Sequence, residues 1–364
     1  MSQRREFVGL AKAETVTVSE LCGRFGISRK TGYKWLGRAE DLREHSRRPH
    51  ETPKRTALPV EAQVVALRQR HPAWGGRKIA RRLQNLGLDN VPHPSTVTHI
   101  LRRHGLIDER PAGEGGRYQR FEHARPNALW QMDFKGDFAL GQGRCHALTA
   151  VDDHSRYNLV LRACGSPNRR AVQPVMIDAF RRYGLPERIN VDNGQPWGSP
   201  SAQHGLSQLT LSWIRLGIRV SFSAPAHPQT NGKDERFHRT LKAEVLTGNT
   251  FGDLAQAQAA FDLWRPIYNY ERPHDALGLA VPASRYQPSP RPYPERLPPI
   301  EYGSADLVVK VGWNGQVKFK GRCLHVSSAL KDLPIAFRPT TNDMRYEVYF
   351  CHQRILTIDL NDQD

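Results

Sequence analysis

Apolar positions recur at helical spacing near the N-terminus at Val18, Leu21, Cys22 and Phe25, and Gly26 then breaks the pattern. Ser28 is a suitable N-cap for a second helix, "RKTGYKWLGRA", with Trp35 and Leu36 turned back towards the first. Two short helices about a Gly-containing turn make a helix-turn-helix, a motif whose second helix enters the DNA major groove. Arg29, Lys30, Thr31, Tyr33 and Lys34 would lie on or near its exposed face, although a helical hairpin with a solvated basic face has the same pattern. Charge and proline without periodicity mark residues 43–58 as a linker between this unit, 1–42, and a second helical unit, 59–107. In the second unit Val64, Val65 and Leu67, then Ile79 and Leu83, then Val97, Ile100 and Leu101 mark three helices. Pro94 and Ser95 open the third, which offers Ser95, Thr96 and Arg102 as candidate DNA contacts.

After a Gly-rich linker, 108–122, the period changes from helical to two. In "NALWQMDFKGDFAL", Leu129, Gln131 and Asp133 point one way and Trp130, Met132 and Phe134 the other. "CHALTAVDD" and "YNLVLRACG" read as two further strands of an antiparallel meander. A helix follows, "NRRAVQPVMIDAFRRYG", with Ala171, Val175, Ala179 and Phe180 inward. The strand "RINV", a helix around "LTLSWIRLG", the strand "IRVSFS" and the helix within "NGKDERFHRTLK" complete the run. Three strands and then alternating helix and strand predict an α/β sheet with an antiparallel and a parallel half, over residues 123–287. A Pro-rich linker, 288–300, precedes a β-rich domain, 301–364, expected to be a small barrel or sandwich with a turn at Asn314–Gly315.

Charge adds the partner. A formal net charge of +17 over 364 residues favours polyanions, with nucleic acid first. No apolar run approaches the roughly 20 residues needed to span a bilayer, and the N-terminus lacks a secretory apolar core. The scattered cysteines Cys22, Cys145, Cys164, Cys323 and Cys351 show no C-x-x-C spacing, which predicts a reducing, cytoplasmic location and argues against a zinc knuckle.

Three acids stand where chemistry would want them. Asp133 lies within the first core strand, Asp192 ends the strand "RINV", and Glu235 lies in the first turn or so of the helix in "NGKDERFHRTLK". Ligand sites of open α/β sheets gather at the carboxyl ends of parallel strands, where Asp192 would sit. Phosphodiesters resist anionic attack, and two Mg²⁺ ions held by carboxylates remove that barrier, with Mn²⁺ as a substitute. Asp137, Asp152 and Asp153 are weaker ligand candidates, Asp152 and Asp153 reading as hairpin residues at a strand end, and Asp234 reads as a solvated neighbour of Glu235. His227, Gln229 and Asn231 precede the helix as candidate substrate-ordering residues, or simply as turn formers.

"WQMDF", "VDNG" and "HPQTNGKDERFHRTLK" resemble the catalytic core of bacterial insertion-sequence transposases of the DDE superfamily, relatives of retroviral integrases. "YNYERPHDALGLAVPASRY" resembles the end of the same core, and the paired helix-turn-helix units suit it. The resemblance implies a ribonuclease H-like fold over residues 123–287. It makes Asp133, Asp192 and Glu235 the metal-binding acids and Lys242 the basic residue seven positions beyond the glutamate. Residues 235, 239 and 242 share a helix face, so Arg239 and Lys242 are expected to hold DNA phosphates, with Lys233 nearby. One departure is the step of 43 positions from Asp192 to Glu235, longer than is typical, with the surplus in "QPWGSPSAQHG". Loops lengthen cheaply, at about 0.6 kcal/mol per doubling. The implied activity is binding to an element's terminal repeats, end cleavage and transfer of the 3′-hydroxyl to target DNA by a homo-oligomer on double-stranded DNA, without a membrane partner. A DNA-binding regulator that has lost catalysis and a plain ribonuclease H-like nuclease are the alternatives. Loss of an acid would favour the first, yet all three are present, and the two binding units, which suggest sequence choice, argue against the second.

Overall fold

The computed structural model describes residues 3–43, 55–107, 122–198, 206–223, 232–342 and 344–361. The chain divides into two compact units, Met1–Thr56 and Ala57–Asp364.

The first unit holds α1 (Gln3–Lys12), α2 (Val18–Arg24) and α3 (Arg29–Leu36). Ser28 caps α3 as its sequence predicts, its hydroxyl accepting from the Thr31 N–H at 3.2 Å. The helix-turn-helix pattern left α1 unforeseen. Buried Phe7 and Val8 close it over the other two helices, with the Phe7 ring edge-on to Phe25 and Trp35. α3 comes close because Gly32 has no side chain; a Cβ there would stand 2.6 Å from Cys22 Sγ.

The second unit begins with α4 (Leu58–Arg70), α5 (Gly76–Asn85) and α6 (Pro94–Arg103), around Val64, Leu67, Trp74, Ile79, Leu83, Val97, Ile100 and Leu101. Next come β1 (Trp130–Ala139), β2 (Arg144–Asp152), β3 (Asn158–Cys164), α7 (Arg169–Tyr183), β4 (Arg188–Val191), α8 (Gln208–Arg215), β5 (Arg219–Phe222) and α9 (Gly232–Leu241). That is the order the sequence predicts. The sheet runs β3-β2-β1-β4-β5, antiparallel across β3, β2 and β1 and parallel from β1 through β4 to β5. α10 (Leu254–Pro266) joins α9 on one face, over Cys145, Ala147, Val151, Phe237, Leu241 and Phe261. α7 and α8 cover the other face through Trp130, Met132, Leu148, Phe180, Trp213 and Ile214. The inward residues of α7 are Val172, Met176, Ala179, Phe180 and Tyr183, while Ala171 and Val175 are only partly buried; the apolar stripe is turned by one residue from expectation.

Residues 287–300 run along this core rather than standing off it. The Ser289 N–H donates to the Tyr183 carbonyl and the Leu185 N–H to the Arg291 carbonyl, and the Arg291 guanidinium donates to the carbonyls of Pro186, Leu216 and Gly217. The C-terminal strands are β6 (Leu307–Lys310), β7 (Gln316–Phe319), β8 (Arg322–His325), β9 (Pro334–Pro339), β10 (Arg345–Phe350) and β11 (Gln353–Asp359). They form a four-stranded antiparallel sheet, β11-β10-β9-β6, and a β7–β8 ribbon. The Phe319 ring stacks on Phe337 at 3.9 Å across the two, so the arrangement is a small sandwich rather than a closed barrel. The Asn314–Gly315 turn exists, yet β6 pairs with β9 instead of with β7. The Gln353 amide donates to and accepts from the backbone of Val220, covering the outer edge of β5. Among the described residues no helix is long and apolar enough to cross a membrane.

Candidate active site

β1 and β4 place two of the three acids. Trp130 pairs with Ile189 and Gln131 with Asn190 in parallel, and carrying that register onward sets Asp192 level with Asp133 on the neighbouring strand. Asp133 is half-buried, with its Oδ1 accepting from the Phe134 N–H at 2.7 Å. Asp192 is exposed just beyond β4 and turns the chain by accepting from the Gly194 N–H at 3.1 Å.

Glu235 is brought by α9, whose start is fixed from β1. Gln131 Oε1 accepts from the backbone N–H groups of Lys233 and Asp234, at 3.2 and 3.3 Å, satisfying two donors that a helix leaves open. The Gln131 amide in turn donates to Asp153 Oδ1 at 2.9 Å. Glu235, Arg239 and Lys242 are all exposed on the outer side of this helix. The electrostatics tie the acids together. Burial pushes the Asp133 carboxyl up to about 7, with the Asp192 and then the Glu235 carboxylates adding to it against the Phe134 N–H. Burial raises Asp192 as well, opposed by its bond from Gly194.

Asp234 corrects its sequence reading. It is fully buried, not solvated, and lies against Thr149 and His238. Thr149 Oγ1 is 2.9 Å from the Asp133 carbonyl oxygen, 2.9 Å from Asp234 Oδ2 and 2.8 Å from His238 Nε2. A hydroxyl has one proton and two lone pairs. Burial, followed by the Asp133 charge, raises Asp234 well above the carboxylate range, and burial followed by Lys135 lowers His238 to about 3. The Thr149 hydroxyl faces the Asp133 carbonyl and the Asp234 carboxyl oxygens as donor, and a neutral His238 can donate to it from Nε2. Among the described residues, ligand atoms of Asp133, Asp234 and His238 lie within 4.8 Å of one another, and no such grouping includes Asp192 or Glu235. The sequence signal was available: Asp234, Phe237, Leu241 and Val245 form one buried helical stripe.

The remaining expected residues are dispersed. Lys233 does not reach outward, because its ammonium pairs with fully buried Asp153. Asp152 binds the N–H and hydroxyl of Ser155, and Asp137 pairs with Arg144 across the β1–β2 hairpin. On α3, Lys30, Tyr33 and Lys34 are exposed, Thr31 is half-buried at the Ser28 cap, and Arg29 donates to Ser19 Oγ. On α6, Ser95, Thr96 and Arg102 are exposed. His227, Gln229 and Asn231 lie outside the described residues, as does most of the lengthened loop after Asp192.

Family models cover most of the chain in pieces. Integrase core domain models match residues 123–228 and 216–282, and a model described as IS481 family transposase, C-terminal domain, matches 306–364. A helix-turn-helix domain model matches 3–50 and a homeodomain-like domain model 31–101. An uncharacterized 39.2 kDa protein of insertion element IS476 from Xanthomonas euvesicatoria is 28% identical over 71% of this chain and 72% of its own. An uncharacterized 31.7 kDa protein of insertion element IS407 from Burkholderia multivorans is 24% identical over 73% of this chain and 93% of its own. Among solved structures, the simian T-cell lymphotropic virus intasome with PP2A regulatory subunit B56 gamma aligns at a TM-score of 0.39 and 16% identity, over 76% of this chain and 98% of that one. The HTLV-2 integrase catalytic core domain with magnesium aligns at 0.34 and 16%, over 45% and 99%. Helix-turn-helix modules ahead of a ribonuclease H-like integrase core define the class of protein. An integrase core over residues 123–282 and an IS481 family transposase C-terminal domain over 306–364 are what the family models find in this chain, and its curated relatives include proteins of insertion elements IS476 and IS407.

Proposed function

We propose that this chain cuts the ends of a mobile element and joins them to target DNA, with Asp133, Asp192 and Glu235 as its catalytic acids. The observation that carries the reading is the parallel register of β1 and β4 that sets Asp192 level with Asp133, with the start of α9, which holds Glu235, fixed to β1 through Gln131. Carboxylates that disfavour one another's ionisation favour a cation between them, and Asp133, Asp192 and Glu235 would offer a hard oxygen donor set suited to Mg²⁺ or Mn²⁺ once drawn within one coordination distance. Two bound ions would supply activation of the attacking oxygen and neutralisation of the leaving one. The chain's own residues do the rest. Asp133 holds one side of the site from β1 with Asp192 beside it from the turn after β4, Glu235 approaches from α9, and Arg239 and Lys242 meet flanking phosphates from the same helix face.

The exposed side chains of α3 and α6 read the terminal repeats, their cations making binding fall steeply with salt. Joining two ends calls for two active sites, hence a homo-oligomer on DNA. The test is a duplex carrying the inverted repeat that flanks the gene, incubated with Mg²⁺ or Mn²⁺. Nicked ends with a 3′-hydroxyl, and joined products on added target, are expected, with none in a chelator. Asp133→Asn, Asp192→Asn and Glu235→Gln should each abolish cutting while retaining DNA binding, and normal cutting by any of them removes that residue from the site.

A further inference from the structure

Beside the acids stands a cation that the catalytic set does not use. Lys135 is half-buried on β1, two residues after Asp133, and among the described residues it forms no ion pair. Its place follows from how α9 lies on the sheet. Gln131 meets the backbone of residues 233 and 234, and Thr149, the partner of Asp133 across β1 and β2, meets Asp234 and His238. α9 therefore runs beside β1 in the same direction. Two residues of strand advance about 6.6 Å and four of helix about 6 Å. The next step along both brings Lys135 level with His238 and Lys242, which are one helical turn apart. The charges agree: burial and then Lys242 depress Lys135, and Lys135 depresses His238.

Two backbone irregularities meet at the same place. β1 bulges between Phe134 and Asp137, with Gly136 at φ +77°, and bulges beside active sites re-aim side chains. α9 gives way to a π-helical turn, Lys242–Leu246, at Lys242 itself, and such turns concentrate at functional sites. Neighbouring ammonium groups repel each other, and an anion between them turns that cost into attraction. We propose that Lys135 and Lys242 form a subsite for one backbone phosphate of DNA beside Asp133, Lys135 approaching from the strand and Lys242 from the helix. The subsite rests on the proposed function in taking DNA as the source of the phosphate.

Salt-titrated binding of the full chain to element-end duplex, in chelator so that nothing is cut, tests it. Lys135→Met keeps the aliphatic stem. Each lost phosphate contact should lower the slope of log K against log salt by about 0.9. Lys135→Met should therefore lose about 0.9, the double variant with Lys242→Met about 1.8, and Lys135→Arg close to nothing. A neutral methylphosphonate scan gives a second measurement, using the unaltered protein. One position should weaken the parent and add nothing further in Lys135→Met. A parental slope in folded Lys135→Met, or a scan in which the two proteins respond alike, overturns the subsite. Both readouts are independent of catalysis: cutting by a protein indifferent to Lys135 sinks the subsite alone, and a Lys135-dependent slope without cutting by the parent sinks the proposed function alone.

Discussion

At the scale of single residues, Asp133 ionises against burial first and against Asp192 next. Its folded pKa of about 7 lies above the ordinary 3.8, so the folded chain keeps a proton that the unfolded chain releases. Stability is thus lost as pH rises from about 4 to about 7, and the loss persists above that range. Without metal, Asp133→Asn should melt higher than the parent at pH 8, by on the order of 2–4 °C. The two should converge near pH 4. Added Mg²⁺ should raise only the parent's melting temperature, and equal melting at pH 8 in chelator would show that the carboxylate is not held up. Asp234 makes a different forecast. Asp234→Asn retains an acceptor for Thr149 and should cost under about 1 kcal/mol, whereas Asp234→Ala leaves buried partners unsatisfied and should cost about 2–3 kcal/mol, as read by urea unfolding. Asp133, Asp192 and Glu235 were legible as candidates from the elements they end or begin. Asp234 was misread because its neighbours on the chain are charged, while its neighbours on the helix face, Phe237 and Leu241, are buried. Lys135 carries no sequence signal at all, since its place depends on a bulge and on the register between a strand and a helix 100 residues away.

Among the elements, β1 to β5 and α7 to α9 were legible because each side of the sheet is covered and each strand therefore keeps a strict apolar pattern. The C-terminal pairing was not. An Asn-Gly turn signals a reversal of the chain, but which strands then bond depends on a distant surface; β6 finds β9 where Val309, packed against the core, lies opposite buried Ile335. α1 was missed because Phe7 and Val8 are too few to show a period, although they fill the space between two helices. Close helix crossings depend on glycine in a way that can be tested. A Cβ at Gly76 would stand 2.2 Å from Thr98 Oγ1 and 2.7 Å from the Pro94 carbonyl oxygen, whereas one at Gly75 meets nothing within 4 Å. Gly76→Ala should force α5 from α6 and cost about 1–3 kcal/mol. Hydrogen exchange should quicken across both helices and affinity for end DNA should fall. Gly75→Ala, the neighbouring control, should cost under about 1 kcal/mol. Equal behaviour of the two variants would mean that the crossing yields more easily than these contacts imply.

Across the whole second unit, contacts run without a break from a DNA-binding module to a candidate catalytic helix. From α5, Arg82 pairs with Glu271 while Arg77 and Lys78 pair with Asp275, and Ile267 packs on the apolar cluster of the same module. Between those two acids Arg272 donates to Glu244 at 2.7 Å, both side chains being under a tenth exposed, and Glu244 lies in the π-helical turn that continues α9. Breaking a buried pair costs far more than breaking an exposed one, so the seam has a rigid inner half and a softer outer half. If the seam sets where bound repeat DNA enters the acid cluster, loosening the outer half should uncouple recognition from cutting. Glu271→Lys with Asp275→Lys should quicken hydrogen exchange in α5 and leave end binding nearly intact. It should slow end cleavage by about tenfold, a loss of about 1.4 kcal/mol. Adding Arg82→Glu restores one pair with its sign inverted and should recover part of the rate, which a general loss of folding would not allow. Parental cleavage by the double reversal, with α5 shown to be released, would mean that the module reaches DNA independently of the core and that the seam only stabilises the fold.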